Sequence, residues 1–151
     1  MKLYRFYYKT LRNVSYFLFT NPQIKIIFYQ TNNGEKMKSK DDKKLSYIHM
    51  GSEKQLIWST IGDVLKNSAE KYPENDALVA VWRDERYTYE QFYKICKRAA
   101  KGLMKMGVKK GDRVGIWATN YTEWIITQFS TAMIGAILVT INPALREHEL
   151  E

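Results

Sequence analysis

A regular rhythm of apolar and polar positions begins only near residue 59. Ile61, Val64, Leu65 and Ala69 recur at three- and four-residue steps, the spacing of one helix face. Tyr72-Pro73 ends that run, because proline disfavours helix in the residue before it. Residues 77–82, ALVAVW, form an apolar run short enough for a buried strand. A polar turn, Arg83-Asp84-Glu85, leads back through Arg86-Tyr87-Thr88, and the pair predicts a β-hairpin. Thr88 followed by Gln91 fits a capping box, in which the threonine oxygen accepts from the first-turn N–H groups and the glutamine reaches back. The helix it opens places Phe92, Cys96, Ala99, Leu103 and Met106 on one face. Lys94, Lys97, Arg98, Lys101 and Lys105 fall on the other, and Gly107 stands where a left-handed C-cap belongs.

After a polar turn over residues 108–113, the pattern predicts a strand over 114–118, a helix over 122–134 and a strand over 136–141, AILVTI. The helix carries Trp124, Ile125, Gln128, Phe129, Ala132 and Met133 near one side. Strand, helix and strand within about thirty residues make a βαβ unit. A continuous apolar strand suits a parallel sheet covered by helices on both faces, with a right-handed crossover. Asn142-Pro143 stops the strand, and residues 146–151 read as the opening turns of a further helix. A last strand at an open edge invites aggregation unless something covers it. The predicted fold is therefore α/β and incomplete at its C-terminus, the beginning of a larger domain; a complete small domain with a short final helix is the alternative.

Composition adds a division. The net charge is +8, yet residues 1–44 hold ten bases against three acids, while the other 107 hold 14 against 13. Basic charge concentrated in a leader is no guide to a binding surface on the folded part. Residues 1–34 contain no acid, five bases and nine aromatics. That character fits a mitochondrial presequence, although only two of the bases are Arg and Ser15 is the lone serine. A plain extension with Met37 or Met50 as the real start, and contact with a membrane surface, are the other readings. Residues 31–44 read as a solvated polar linker, so residues 1–44 are expected to stand outside the core and residues 45–151 to fold. No stretch approaches the roughly 18 apolar residues of a membrane span.

Candidate chemistry is sparse. One cysteine excludes a disulfide scaffold, and Cys96, His49 and His148 are too few for a zinc site of three or four Cys/His ligands. Cys96 sits on the apolar helix face, where a buried structural thiol is the simpler reading than a nucleophile. The lysine stripe beside it reads as a solvated face; aromatics for base stacking are not interleaved with it, and no nucleic-acid partner is expected. Gly102, Gly107, Gly111 and Gly115 are too scattered to make a phosphate-binding loop.

Several words resemble the adenylate-forming superfamily of AMP-dependent synthetases and ligases. RYTYEQF, residues 86–92, is similar to its threonine-tyrosine box, and MIGAILVTINP, residues 133–143, to its glycine-alanine box with the Asn-Pro of acyl-CoA synthetases. MGVKKGDRVGIW, residues 106–117, and Asn120 stand between them in the family's order. LSYIHMGSEKQLIWSTIGDVL, residues 45–65, and NPALREHELE, residues 142–151, resemble mitochondrial medium-chain acyl-CoA synthetases within it. The resemblance covers residues 46–151 and implies the N-terminal part of the large adenylate-forming domain. It also implies that a full-length parent makes acyl-CoA from fatty acid, ATP with Mg, and coenzyme A through an acyl-adenylate, in mitochondria.

The family's phosphate loop, ribose-binding aspartate and catalytic lysine all belong beyond residue 151. No catalytic, cofactor-binding or metal-ligating residue is carried over, and Thr88 and Asn142-Pro143 are taken as structural words. The chain alone is expected to lack ligase activity. The alternatives are a catalytically dead interaction protein that pairs with a full-length synthetase through the sheet edge after Ile141, and a basic membrane-surface or nucleic-acid binder using the leader.

Overall fold

The computed structural model describes residues 7–11, 14–18, 24–29, 57–146 and 149. Strands β1 (Tyr7–Leu11), β2 (Val14–Leu18) and β3 (Lys25–Tyr29) are followed by helix α1 (Ile61–Lys71). A hairpin of β4 (Asp76–Ala80) and β5 (Glu85–Thr88) then leads into α2 (Tyr89–Lys105), and β6 (Arg113–Trp117), α3 (Thr122–Ile134) and β7 (Ile137–Ile141) complete the order. The linker over 31–44, residues 45–56 and most of the helix expected over 146–151 lie outside the described residues.

Local chemistry accounts for the helix starts. Thr88 Oγ1 accepts from the Gln91 N–H at 3.3 Å while the Thr88 N–H donates to Gln91 Oε1 at 3.1 Å, so the predicted capping box is present. A second box, which the pattern did not reveal, opens α1: the Asp63 N–H donates to Thr60 Oγ1 and the Thr60 N–H donates to Asp63. The hydrogen bonds from Thr60 hold the Asp63 carboxyl below its ordinary value. The hairpin turns earlier than expected, because residues Val81–Arg83 wind into a single 3-10 turn closed by Asp84 in the left-handed region at φ 53°.

The five-stranded sheet runs β1-β2-β3-β6-β7, and β4-β5 is a separate two-stranded ladder. The pair β6/β7 is parallel, with Val114 opposite Leu138 and Ile116 opposite Thr140, as the βαβ pattern requires. Gly135 ends α3 at φ 71°, a conformation that glycine adopts without a steric penalty. Its carbonyl accepts from the Gly111 N–H at 2.9 Å, which ties the entry of β6 to that of β7.

Three expectations need correction. The leader was expected outside the core, yet β3 pairs antiparallel with β6, and Ile24 and Ile26 are 0% and 2% exposed in one cluster with Val114, Ile116, Val108 and Leu103. Charge counting says nothing about backbone hydrogen bonds, and an acid-free run rich in β-branched and aromatic residues suits a strand. Second, β7 is not covered on both faces: Ile137 and Val139 are exposed. Third, the fully buried side of α3 is not the Trp124/Phe129 side. Thr122, Glu123, Ile126, Thr127, Ser130 and Thr131 are buried, while Trp124, Ile125, Gln128, Phe129, Ala132 and Met133 are half-buried.

That hydroxyl-bearing face is satisfied internally. Thr127 Oγ1 donates to the Glu123 carbonyl at 2.7 Å, Thr131 Oγ1 to the Thr127 carbonyl at 2.9 Å, and Ser130 Oγ lies 2.6 Å from the Ile126 and 3.0 Å from the Cys96 carbonyls. Small side chains whose polar atoms bond back to the helix let neighbours approach closely. On the other flank of α3 the close approach comes from a glycine, since a Cβ at Gly62 of α1 would stand 3.2 Å from Met133 Cα. A second core cluster of Leu65, Phe92, Cys96 and Ile126 fills the space between the three helices, and Phe92 meets Phe129 edge to face at 5.5 Å. Ala100, rather than Ala99, completes the buried side of α2.

Cys96 has no exposed surface, and burial pushes its thiol from 9.0 to about 12 against the weaker pull of the Ser130 hydroxyl. The unfolded chain therefore releases this proton first. Stability should fall as pH rises from the ordinary thiol range toward 12, and by more than in Cys96→Ala. Urea titrations across that range check it. A disulfide reagent at pH 8 should label Cys96 only in denaturant, and rapid labelling of the native chain would contradict the burial.

Candidate functional site

In open α/β sheets, ligands sit in the crevice outside the carboxyl ends of parallel strands. The parallel pair here, β6 and β7, opens onto such a crevice of about 520 Å3. Ala118, Thr119, Asn120 and Trp124 line it from the β6 side, and Thr140, Ile141, Asn142 and Pro143 from the β7 side. Asn142 shapes the rim: its Oδ1 accepts from the Ala144 N–H at 3.0 Å and its carbonyl accepts from the Leu145 N–H at 3.1 Å. The β6–α3 connection turns tightly, with the Tyr121 N–H 2.8 Å from the Thr119 carbonyl and the Trp124 N–H 3.0 Å from the Tyr121 carbonyl.

A second, more apolar cavity of about 440 Å3 lies between this connection and the β4–β5 hairpin, walled by Leu78, Val79, Trp82, Tyr121, Trp124 and Ile125. Asn120 and Trp124 line both spaces, so the β6–α3 connection is the partition between them. Trp82 and Tyr121 approach at 5.3 Å with their rings tilted by 58°, and the Arg83 guanidinium lies 5.6 and 5.8 Å from the two ring centres.

Arg83 fixes this geometry. Its guanidinium donates to both oxygens of Glu123, at 2.8 and 3.2 Å, and reaches Glu85 at 3.0 Å. Thr122 Oγ1 donates to Glu85 Oε2 at 2.7 Å. The Glu123 side chain is 1% exposed, so its charge depends on this fork and on the N-terminal end of α3, where the helix dipole favours an anion. The network ties the hairpin turn to the first turn of α3.

None of these residues stands out in the sequence. Arg83 and Glu85 read as a polar turn, and an acid in a first helical turn ordinarily faces water. The available signal is faint: a base and an acid two apart in a hairpin turn, and a helix start bearing Thr-Glu. Of the residues the sequence does single out, Cys96 lies in the interhelical core and lines neither cavity. The lysines of α2 are exposed; Lys94 pairs with Glu90 at 2.7 Å and Lys97 lies over the Tyr93 ring. Gly102 lies in α2, Gly115 in β6, and Gly107 and Gly111 occupy separate turn positions at positive φ. His49 and His148 lie outside the described residues.

Tyr121 is the one titratable residue among those lining the two cavities. Their Asn, Thr, Trp and Tyr groups can orient a ligand by hydrogen bonds and ring contacts. They supply neither the carboxylates that Mg would need nor a lysine for a triphosphate. Among the described residues no three His, Cys, Asp or Glu side chains converge as metal ligands. No helix among them is long and apolar enough to cross a membrane.

Residues 65–151 match the family model described as AMP-binding enzyme. The chain is 54% identical over 97 residues to the Bacillus subtilis protein YngI, whose acyl-CoA synthetase name is itself provisional; this covers 64% of this chain and 18% of that protein. It is 38% identical over 124 residues to the human mitochondrial medium-chain acyl-CoA ligase ACSF2, covering 82% of this chain and 20% of the relative. Among solved structures, the inhibitor-bound N-terminal domain of FACL13 from Mycobacterium tuberculosis superposes with a TM-score of 0.58 at 34% identity, over 60% of this chain and 23% of that one. The chain thus spans about a fifth of the length of the curated relatives it matches.

Replacing Glu123 with Gln preserves shape but removes the buried charge from the fork, leaving Glu85 as the carboxylate beside Arg83. Glu123→Gln should cost up to about 3–5 kcal/mol of folding stability, less to the extent that Glu85 holds Arg83. Chemical denaturation of the purified chain measures this, and a loss within experimental error would remove the network from its structural role.

Proposed function

Because the chain belongs to the AMP-binding enzyme family, we propose that it is the N-terminal part of an AMP-forming fatty acyl-CoA ligase, with medium-chain acids as the substrate class. The observation that carries this reading is the family match from residue 65 to 151, joined to relatives that bear acyl-CoA synthetase and ligase names. The structure supports it through the open carboxyl-end crevice of β6 and β7, where a larger α/β enzyme would present a ligand.

The complete ligase would join a fatty acid to coenzyme A in two balanced steps. The carboxylate attacks the α-phosphorus of ATP and expels pyrophosphate, giving an acyl-adenylate. The coenzyme A thiol then attacks the acyl carbon and gives up its proton to solvent, and AMP leaves. Mg would neutralise the phosphate charge in the first step. The described residues do not fit the triphosphate or its metal, so no step is assigned to a side chain of this segment. Its contribution in this reading is architectural: it builds the parallel strand pair and holds the β6–α3 partition in place through Arg83 and Glu123.

Two comparisons test the assignment. The chain alone should release no pyrophosphate from ATP in the presence of octanoate and coenzyme A. Grafted in place of the matching segment of the human relative, residues 65–151 should retain octanoyl-CoA synthesis. Turnover by the chain alone would sink the first expectation, and a folded but inactive graft the second.

The leader serves in this reading as a mitochondrial address, supported by its acid-free, basic composition and by the human relative's mitochondrial name. Residues 1–44 fused to a reporter should be imported by isolated mitochondria, and a reporter left wholly outside would refute the address. A second reading, pairing with a full-length synthetase, draws on the exposed β7 edge; stoichiometric co-purification with such an enzyme would favour it.

A further inference from the structure

Strand β6 is buried over Val114, Gly115 and Ile116 and therefore behaves as an interior strand. One of its sides is taken by β7. The other is taken by the leader, whose β3 ends at Tyr29, ahead of the family-model match that begins at residue 65. Among the described strands none but β3 lies on that side of β6, and without it those strands would leave there a row of unpaired N–H and C=O groups, a ready template for another strand.

The pairing has the marks of a seated strand. The ladder runs over five positions, from Lys25 opposite Trp117 to Tyr29 opposite Arg113. Ile24 and Ile26, two residues apart as a strand requires, bury their side chains against the cluster that contains Val114 and Ile116. β1 and β2 extend the sheet outward from β3, so the meander joins the domain's strands through the β3–β6 ladder alone.

The tether is long. Residues 30–56 connect β3 to the next described residue, and an extended chain of that length reaches about 90 Å. The leader of one molecule can therefore lie on the β6 of another in the same register, with the same residues, because each copy carries both the strand and its acceptor edge.

We propose that β3 is a built-in, exchangeable cap on the β6 edge, and that a second copy of this chain is the partner that receives it when the cap is released. In the monomer the cap closes an edge that would otherwise recruit strands. In the exchanged dimer the same ladder forms between molecules.

The test uses the full chain with a protease site inserted within residues 31–44, away from every described residue. After cleavage, the leader should stay with the domain through gel filtration at high salt; a leader that elutes as free peptide overturns the cap. Refolding the uncut chain at high concentration should yield a dimer that cleavage converts to monomer-sized particles holding both pieces. No dimer, or a dimer that survives cleavage, overturns the exchange. As an independent measurement, hydrogen exchange of residues 113–117 should quicken about tenfold or more in Ile26→Asp while α2 stays protected. Unchanged exchange in a folded variant would remove the cap. Should that variant fail to fold, the cleavage experiment decides alone.

Discussion

The carboxylate of Glu123 cannot lie where it does without a cation. With its side chain 1% exposed, it has lost nearly all contact with water, and only the fork of Arg83 and the dipole of α3 stand in for hydration. That single electrostatic demand reaches across forty residues of sequence and pulls the hairpin turn onto the start of α3. Once it is met, Glu85 and Thr122 fall within hydrogen-bonding distance, Trp82 meets Tyr121, and the β6–α3 connection becomes a fixed wall. Both cavities take their shape from that wall.

A second constraint lies in the middle of α3. A helix gripped by α1 and α2 and contacted by β6 and β7 has little room for bulk. Thr127, Ser130 and Thr131 meet the need because their hydroxyls are satisfied by carbonyls of the same helix or of Cys96, so a polar surface is buried without an orphaned group. The large residues are displaced to the flanks, where they finish the two core clusters.

Periodicity and capping made the local elements legible. The residues of α3 match the expected range, the Thr88 box is present, and the parallel β6/β7 pair follows from the apolar runs on either side of that helix. What periodicity weighs is hydrophobicity, and this explains its failure on α3, where size and self-satisfied hydroxyls decided which side was buried. The family was readable from RYTYEQF and MIGAILVTINP because such words join several elements at once. The Arg83–Glu123 network was not readable, since a buried ion pair depends on two distant segments meeting and neither segment is unusual alone. The leader was misjudged for a related reason: net charge describes how a segment meets solvent, and says nothing of which strand has a vacant edge.

The β3–β6 ladder joins residues some ninety positions apart, whereas β6 and β7 are separated by one helix. Loop closure makes distant pairs slower to form than near ones. A strand early in the sequence is thus among the last to find its place, because its acceptor lies more than eighty residues further along. Until β6 has folded, the backbone groups of β3 that it will pair remain open to other strands.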